Sequence, residues 1–380
     1  MRINKFRYAN KVLGLKIEPI SFSNLSLLVG VSGVGKTMIL EALTKLKQIA
    51  QGAALNGIEW EIFFSTTPKK NYQWKGSFET TKNIRSIINI PTVGKDESGE
   101  TMTERPKIKY EELRLNDTLI AERKENEITL KGKKTPKLSS YQSLLYLFNE
   151  EAIIKPIFEN LNKIIMSDHS HQPGINIIGD FERLSTKYAT TESIKNSSML
   201  THAKLALAYR SQPDIFNKIK ANFINVFPQI EDIKFEPFDH PQMFFRDGYC
   251  LYIKEKNVSD WIFQNISSGM FKTLMQISDL FLCPEGAVIL IDEFENSLGI
   301  NCIDTLIENL LHDSSDIQFI ITSHHPYIIN SIGMEHWKVV SRNGGTITTK
   351  DAKDFELGKS RHEAFKQLIQ LAEYREGIIT

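Results

Sequence analysis

Short runs of alternating apolar and polar residues fill the start of the chain. Residues 12–20 and 25–29 predict two strands, the second of them continuously apolar up to a glycine. From Lys36 to Lys47 the apolar residues recur at helical spacing, which predicts a helix. Between residues 57 and 132 short alternating runs are separated by turn-forming residues, as in an antiparallel meander. Within the meander, residues 94–107 are mostly polar and predict a loop.

The apolar period becomes helical near Tyr141, and helices are expected to continue through Phe227. Residues 230–238 and 248–256 then resemble a pair of hairpin strands that returns to the main domain. The last third reads as helix, strand, helix, strand and short helix, the βαβα signal of a parallel sheet. Residues 356–376 predict a terminal helix.

Bulk composition narrows the class of protein. With 380 residues, 41% hydrophobic and 24% charged, the chain suits one large domain with an inserted lobe, or two domains. The 46 basic residues balance the 46 acidic ones, which argues against a histone-like binder but leaves a local basic groove open. Three widely spaced cysteines predict neither a disulfide framework nor a structural zinc site, and they fit a reducing compartment.

Membrane targeting is not predicted either. The N-terminal segment alternates like a strand and lacks the continuous apolar core of a signal peptide. No run of about 18 apolar residues occurs, so no membrane-spanning helix is expected. Internal repeats and sustained heptads are also absent from the sequence, which excludes a long coiled-coil arm. We expect a cytoplasmic protein without a membrane partner.

A phosphate-binding pattern lies between the second strand and the first helix. Residues 30–37, GVSGVGKT, match G-x-x-x-x-G-K-[ST]. Glycines let the backbone curl so that N–H groups point at phosphates, and the helix N-terminus adds positive potential. Lys36 can reach the β- and γ-phosphates of ATP, and the Thr37 hydroxyl can bind Mg²⁺. The predicted ATP-binding residues here are Gly30, Ser32, Gly33, Val34, Gly35, Lys36, Thr37 and Met38.

Two consecutive carboxylates follow an apolar strand in the last third. Residues 287–291 end in Asp292 and Glu293, and such a strand delivers its last side chains to the edge of the sheet where ligands bind. We expect Asp292 to hold Mg²⁺, mostly through water, and Glu293 to act as the general base on the attacking water. Acidic residues commonly end strands in solvated turns, so the phosphate-binding pattern upstream is what favours this interpretation.

Two weaker patterns flank the acidic pair. Ser267, Ser268 and Gly269 open a predicted helix about 20 residues before it, where a helix N-terminus could bind a γ-phosphate. His324 follows the next apolar strand and could donate to the γ-phosphate and sense its loss. Each of these alone is better explained as a helix cap or a loop histidine. Their order and spacing around the acidic pair favour the functional interpretation.

Taken together, these motifs resemble ABC-type ATPase domains, in the OLD-like, RecF-like and SMC-like branch rather than the transporters. Residues 30–37 are similar to Walker A, residues 289–293 to Walker B, residues 267–269 to the signature loop and His324 to the switch histidine. Residues 295–298 would be the D-loop. The resemblance also implies a Mg²⁺-contacting glutamine before the helical lobe, for which Gln142 is the candidate.

Four positions depart from the family pattern. Ser268 stands in place of a glycine and Met270 in place of a glutamine in the signature loop. Phe294 replaces a frequent proline, and Gly299 a histidine that often follows in OLD-like members. These departures leave nucleotide binding intact and bear on the rate of hydrolysis.

The fold implied is an α/β P-loop NTPase with an ABC-type mixed sheet, an antiparallel β-subdomain and an inserted helical lobe. We expect an N-terminal half of the ATPase domain at 1–150 and a helical insertion at 151–228. The C-terminal half with signature, Walker B and switch histidine would occupy 229–340, followed by an extension at 341–380. Only about 50 residues follow His324, too few for the Toprim nuclease domain of OLD-like proteins.

The resemblance implies a stand-alone ATPase subunit, as in Septu-type bacterial antiphage systems, working with a separately encoded nuclease effector. ATP and Mg²⁺ would lie between two copies in a homodimer or higher even oligomer, with Ser267 and Gly269 of the second copy closing over the γ-phosphate. The residues 168–171, DHSH, could suggest a metal site, but a polar loop is expected because no ligand partners follow.

Three other functions stay open. A RecF-like ATPase for DNA repair or DNA-end sensing would use the same motifs with a basic groove, and Lys131, Lys133 and Lys134 form one local basic candidate. A scaffold could bind ATP without hydrolysis and restrain a partner. A transporter subunit is the third alternative, disfavoured by the large insertion and the altered signature.

Overall fold

The computed structural model describes residues 1–66, 70–81, 105–169, 177–178, 181–238, 248–262, 266–296, 316–355, 358, 361–375 and 377. Outside them lies the predicted loop at 94–107, except for residues 105–107. The predicted helix between the last two apolar strands, at 300–312, also lies outside them, as do Ser297, Leu298 and Gly299. The chain divides into two compact units. The first comprises Met1–Met166, Gly286–Asp292 and Asp316–Thr380, and the second comprises Ser167–Glu285 and Glu293–Ser315.

The described strands, β1 to β18, are Arg2–Asn10, Leu15–Ser21, Leu25–Val29, Ile58–Thr66, Lys70–Phe78, Ile108–Leu115, Thr118–Lys124, Glu127–Leu130, Lys133–Lys134, Ile164–Met166, Ile177–Ile178, Ile230–Phe238, Gly248–Glu255, Trp261–Ile262, Val288–Ile291, Gln318–Thr322, Trp337–Asn343 and Thr346–Asp351. The described α-helices, α1 to α11, are Lys36–Ala50, Leu144–Leu147, Lys155–Asn162, Phe181–Lys187, Thr191–Lys195, Thr201–Ser211, Pro213–Val226, Ser268–Leu282, Pro326–Ser331, Arg361–Leu368 and Ala372–Arg375.

One mixed sheet of 14 described strands organises the first unit. Its order is β10-β15-β16-β3-β17-β18-β2-β1-β4-β5-β6-β7-β8-β9. The pairs β10–β15, β15–β16, β16–β3 and β3–β17 are all parallel, which confirms the predicted parallel sheet. From β2 through β9 every pairing is antiparallel, which confirms the predicted meander. The predicted α/β fold with a mixed sheet is therefore confirmed.

The core of the first unit consists of the apolar faces of its helices and strands. Helix α1 fully buries Ile39, Leu43 and Leu46 on one face, as its spacing predicts. In the meander the apolar residues alternate, and Trp60 and Trp74 pack edge to face with ring centroids 5.2 Å apart. Burying an aromatic or large aliphatic side chain stabilises a fold by about 1.5–3 kcal/mol.

The N-terminal strands differ from the prediction at their shared turn. Residues 2–10 already form β1, and β2 begins at Leu15 rather than at residue 12. The reason is local, because the Asn10 side chain accepts hydrogen bonds from the N–H groups of Val12 and Leu13, both at 3.1 Å. Gly14 then adopts a positive φ of 62°.

The C-terminal region also contains strands that the sequence analysis did not predict. Strand β17 pairs in parallel with β3, and β18 pairs in parallel with β2. The predicted helix at 356–376 is replaced by α10 and α11, which are separated by residues 369–371.

The second unit combines α4 to α8 with a smaller sheet. Strands β12 and β13 form the predicted antiparallel pair, but they join β11 and β14 in a separate four-stranded sheet and not the main one. The expected ranges 1–150, 151–228, 229–340 and 341–380 stay predictions, since the compact units are divided at other residues. Across the described helices, none has the length and hydropathy to cross a bilayer.

A buried polar cluster links three segments of the second unit. Asp279, on α8, accepts hydrogen bonds from Ser167 at 2.6 Å and from Thr201 at 2.5 Å, and its carboxylate lies 2.7 Å from Nε2 of His169. Burial opposes ionisation of Asp279, but the imidazole and these hydrogen bonds outweigh it and hold its pKa below the usual range. His169 therefore has a structural partner, as expected for a polar loop at 168–169, while residues 170–171 lie outside the described part.

Candidate functional site

The glycine-rich segment between β3 and α1 forms a curled loop in the first unit. Gly30, Gly33 and Gly35 all adopt positive φ angles, of 151°, 87° and 100°. A Cβ at Gly30 would lie 2.7 Å from the carbonyl oxygen of Val340, and a Cβ at Gly35 would collide with the Ile347 side chain. Only glycine fits this path, so the sequence pattern reflects both the backbone conformation and the close packing of β17 and β18.

Helix α1 begins at this loop with its N–H groups available to an anion. Its N-cap, Gly35, has a left-handed backbone, and among the described residues none caps the helix with a side chain. The first turn carries no acidic residue. The first N–H groups of a helix and its dipole attract negative charge, so this end of the 15-residue helix suits a phosphate.

Lys36 lies against the loop that it follows. Its ammonium donates to the carbonyl oxygens of Gly30 at 2.8 Å and Val31 at 3.0 Å. The residue is buried, with 8% of its surface exposed. The cation is thus held inside the curl of the loop, where a phosphate bound to the N–H groups would meet it.

The carboxylate of Asp292 joins the ends of three elements of the first unit. The Thr37 hydroxyl, in the first turn of α1, donates to Asp292 Oδ2 at 2.8 Å. The Thr322 hydroxyl, at the end of β16, donates to Asp292 Oδ1 at 2.6 Å. The parallel strands β15 and β16 bring these side chains to the same sheet edge. The sequence predicted Thr37 and Asp292 at this site but not Thr322. Thr322 could have been found from its position at the end of an apolar strand, next to the predicted switch histidine.

The donor set at this edge fits Mg²⁺. The cation prefers oxygen ligands and commonly uses one or two protein groups together with substrate phosphates and water. Thr37 and Asp292 supply a hydroxyl and a carboxylate in direct contact. Within the described residues, no group of three His, Cys, Asp or Glu side chains forms a separate metal cage.

Two adjacent histidines follow β16 and have different surroundings. His325 caps α9, because its Nδ1 accepts a hydrogen bond from the N–H of Tyr327 at 3.2 Å. Its own N–H donates to the buried Ser323 hydroxyl at 3.0 Å. His324 is exposed at the end of the strand. The expected role of His324 toward a γ-phosphate stays a prediction.

Gln142 lies directly before α2 and is half-buried. Its carbonyl oxygen accepts a hydrogen bond from Arg123 at 2.8 Å, so the main chain is fixed at this point. The role of its side chain at the metal stays a prediction.

A buried ion pair that sequence reasoning missed supports the Gln142 segment. Glu111 is fully buried, accepts from Trp74 Nε1 at 2.8 Å, and receives the N–H of Leu144 at 2.9 and 3.0 Å. Arg123 lies 3.9 Å from the Glu111 carboxylate and also donates to the Ser139 carbonyl. Burial raises the pKa of Glu111 to about 7. The alternation of apolar and polar residues in the meander does not indicate which charged side chains are buried, so this pair was not predicted.

In the second unit, Ser267 forms the tip of α8. Its hydroxyl accepts from the N–H of Met270 at 3.2 Å, which makes it the N-cap of a 15-residue helix. Ser267 and Ser268 are both exposed, and Gly269 is half-buried. The helix tip therefore lies at the surface of its own unit, and its role as a phosphate clamp stays a prediction.

Glu293 begins a turn in the second unit. Its side chain is exposed and its φ angle is +43°, a left-handed conformation that is uncommon for a residue with a side chain. The N–H of Asn296 donates to the Glu293 carbonyl at 2.7 Å and closes the turn. Phe294, which departs from the family's proline, is almost completely buried and anchors it.

One known protein family matches part of this chain. Residues 213–330 match the profile of a family described as AAA domain, putative AbiEii toxin, Type IV TA system. The match covers the predicted signature, acidic pair and switch histidine. It does not include the glycine-rich loop. Among curated protein sequences, none matches this chain significantly.

Several solved structures are similar to this chain at low identity. The SMC head bound to the C-winged helix domain of ScpA has 15% identity and a TM-score of 0.46, covering 92% of this chain and 98% of that one. The SMC head domain from Thermotoga maritima has 12% identity and a TM-score of 0.41, covering 92% and 99%. The SMC head with an extended coiled coil, bound to the C-terminal domain of ScpA derived from Pyrococcus furiosus, has 12% identity and a TM-score of 0.45, covering 97% and 99%.

Proposed function

We propose that this chain binds ATP with Mg²⁺ at the glycine-rich loop and hydrolyses the γ-phosphate. The observation that carries the proposal is the contact of Thr37 with Asp292, at 2.8 Å, beside an uncapped helix N-terminus and a buried lysine. Two segments far apart in sequence, the loop with the start of α1 and the end of β15, thus present N–H groups, an ammonium and two oxygens that suit Mg²⁺ in one unit. Phosphoryl transfer requires this set of groups.

The residues of the site divide into those that bind phosphate, those that hold the metal and those that act on the attacking water or the γ-phosphate. The loop N–H groups and Lys36 bind and orient the phosphates, while Thr37, Asp292 and Gln142 would hold the metal. Mg²⁺, when bound, would neutralise charge on the phosphate oxygens. Glu293 takes a proton from the attacking water, and His324 donates to the γ-phosphate and responds to its loss.

Two copies of the chain would close over the nucleotide. The support for this part is the exposed tip of α8, where Ser267, Ser268 and Gly269 present a helix N-terminus to solvent. A γ-phosphate held by one copy would bind this tip of the other, and its release would remove the ligand that both copies share. That differential binding makes the pairing a nucleotide-driven switch.

Phosphate release with purified protein, ATP and Mg²⁺ tests hydrolysis. Glu293→Gln should lower kcat by about 100-fold or more, because a general base contributes about 100- to 10,000-fold, while nucleotide binding is retained. In the same variant, ATP should shift the molecular mass measured by light scattering from monomer to dimer. A Ser267→Arg copy should fail to dimerise. Wild-type turnover in Glu293→Gln would contradict the role of this residue.

Two lysines of α1 form a matched pair for the binding step. Lys36 and Lys47 both donate to main-chain carbonyls, but Lys47 binds the Ile164 carbonyl at the far end of the helix. Lys36→Met should therefore weaken ATP binding by at least about tenfold, whereas Lys47→Met should leave it unchanged. Equal affinities for the two variants would show that the nucleotide does not bind at this loop.

We further propose that the protein is the ATPase subunit of a bacterial antiphage complex with a separate nuclease effector. The support is a match of residues 213–330 to a family whose description names a putative AbiEii toxin and a Type IV TA system. Phage plating on cells that carry the gene with its chromosomal neighbours, against the same locus with Glu293→Gln, tests this role. Equal plating efficiency on both strains would contradict it.

A DNA-sensing ATPase is the second candidate. Lys131 in the turn after β8 and Lys133 and Lys134 in β9 are all exposed, and Lys134 pairs with Glu127. If DNA binds there, affinity should fall with salt, and alanine at the three lysines should reduce both affinity and salt slope. An ATP-bound scaffold is distinguished from both by nucleotide binding without phosphate release, with or without DNA.

A further inference from the structure

Helix α8 carries a buried lysine that contacts the Glu293 turn. Lys272 is 6% exposed. Its ammonium donates to the Asn296 carbonyl at 2.6 Å and lies 3.4 Å from the Glu293 carbonyl. Lysine is rarely buried to this extent, since removing an ammonium from water costs several kcal/mol unless hydrogen bonds replace its hydration. Here the two carbonyl oxygens replace the hydration of the ammonium, and the cation in turn holds the main chain that carries them.

The turn that Lys272 contacts has an unusual backbone. The other described non-glycine residues with positive φ are Asn116, Asp117, Glu125, Lys131 and Asn257. They lie next to strand ends, in the short connections of the meander and of β13, where hairpin turns favour such angles. Glu293 instead follows a parallel strand, and a left-handed residue there costs on the order of 1 kcal/mol or more unless its surroundings fix it. Hydrogen bonds to both carbonyls, at positions 293 and 296, fix it.

Lys272 also lies on the helix that begins with Ser267. Lys272 lies five positions after Ser267, which corresponds to about 7.5 Å along a helix axis. A single 15-residue helix therefore connects the exposed tip to the carbonyls of the Glu293 turn. Any displacement of the tip is transmitted to the ammonium, because a helix moves as a rigid element over this distance.

We propose that Lys272 is a positioning residue that sets the conformation of the Glu293 turn and couples it to the Ser267 tip. This inference rests on the proposed function, in which Glu293 is the general base. When a second copy's nucleotide binds the tip, the movement of α8 reaches Glu293 through the two carbonyl contacts. Hydrolysis is then sensitive to pairing through the position of Glu293.

The second unit contains a matched control. Lys204 is also buried, at 7% exposure, and its ammonium contacts the carbonyls of Lys195 at 2.8 Å and Leu282 at 3.4 Å. Lys204 and Lys272 thus share residue type, burial and the kind of acceptor. They differ in that the acceptors of Lys204 lie outside the Glu293 turn.

The experiment compares Lys272→Met with Lys204→Met in the full chain. We expect kcat of Lys272→Met to fall by about 10- to 100-fold, since misplacing a catalytic group by 1 Å can cost about 100-fold. KM and the Kd for ATP should stay within about twofold of wild type, because the loop and Lys36 are untouched. Lys204→Met should keep kcat within about twofold, even though its thermal midpoint falls. Lys272→Arg, which retains a donor, should recover part of the lost kcat.

A double-mutant cycle separates positioning from general destabilisation. If Lys272 acts through Glu293, Lys272→Met should add no further loss to the residual single-turnover rate of Glu293→Gln. Equal kcat losses in Lys272→Met and Lys204→Met, or full activity of Lys272→Met in a hydrolysing wild type, would overturn the inference alone. Absence of ATP turnover in wild type would instead overturn the proposed function. If Lys272→Met does not fold, Lys272→Gln is held to the same criteria.

Discussion

Glu111 is buried among groups that hold its carboxylate inside the meander, and burial raises its pKa to about 7 from a reference value of 4.5. Between these two values the folded protein keeps a proton that the unfolded chain has released. The free energy of unfolding therefore decreases as the pH rises through this window, and it changes no further above the folded pKa. The effect should amount to at most about 3 kcal/mol.

Urea denaturation between pH 5 and pH 8 measures this residue-scale effect. Glu111→Gln removes the titrating group, so the decrease should disappear or shrink strongly in that variant. The neighbouring Glu112 is a control of opposite sign. Burial opposes its ionisation as well, but hydrogen bonds from Tyr110 and Arg114 outweigh it and hold its pKa below the usual range. Glu112→Gln should keep the decrease; an unchanged slope in Glu111→Gln would contradict the assignment.

At the scale of elements, the glycine-rich loop depends on two strands that follow it by about 300 residues in sequence. Gly35→Ala would force a side chain into a left-handed position and into Ile347 of β18. We expect it to weaken ATP binding by at least about tenfold, because strain and overpacking each cost about 1–3 kcal/mol. Titration with a fluorescent ATP analogue measures the change.

Gly14→Ala is the matched control for this element. Gly14 also has a positive φ, of 62°, but a Cβ there would meet no described atom within 4 Å. The control should lose about 1 kcal/mol of stability and retain its affinity for ATP. Comparable affinity losses in both variants would mean that backbone strain, and not the shape of the loop, accounts for the effect.

The same elements show how far the sequence alone leads. Strand β3 and helix α1 were predicted within a few residues, because continuous apolar runs and helical periods are local signals. The turn at Asn10 was missed, since a side-chain hydrogen bond to the next N–H groups leaves no apolar pattern. Strands β17 and β18 were missed because their place beside β3 and β2 is set by pairing across more than 300 residues.

The candidate site divides in the same way. The loop, Thr37 and Asp292 follow from a motif whose spacing is fixed by phosphate geometry. Thr322, Glu111 and Lys272 do not, because each acts through a partner that is distant in sequence and their residue types are common on any surface. The meeting of Asp292 with Thr37 confirms the predicted proximity of those two residues, whereas their roles toward ATP stay predictions.

At the scale of the whole molecule, a residue near the C-terminal end of the sequence packs against the glycine-rich loop. Gly377 is buried, its carbonyl accepts the N–H of Arg342 at 2.6 Å, and a Cβ on it would overlap the side chain of Val34 and lie 3.1 Å from that of Val31. The last described residue thus forms part of the wall behind the loop. A larger side chain at this point would displace Val34. Because Val34 lies between Gly33 and Gly35, it would also displace the phosphate-binding backbone.

Gly377→Ala should therefore raise the Kd for ATP by about tenfold, as a methyl group forced into a packed wall costs on the order of 1–3 kcal/mol. Gly344→Ala is its control, because Gly344 has a similar positive φ, 57° against 66°, and open space for a Cβ. Both variants should lose stability from backbone strain in thermal melts, while only the first should lose affinity in the fluorescent ATP titration. Unchanged affinity in Gly377→Ala would show that the loop tolerates movement of its rear wall, and that the end of the chain has no influence on nucleotide binding.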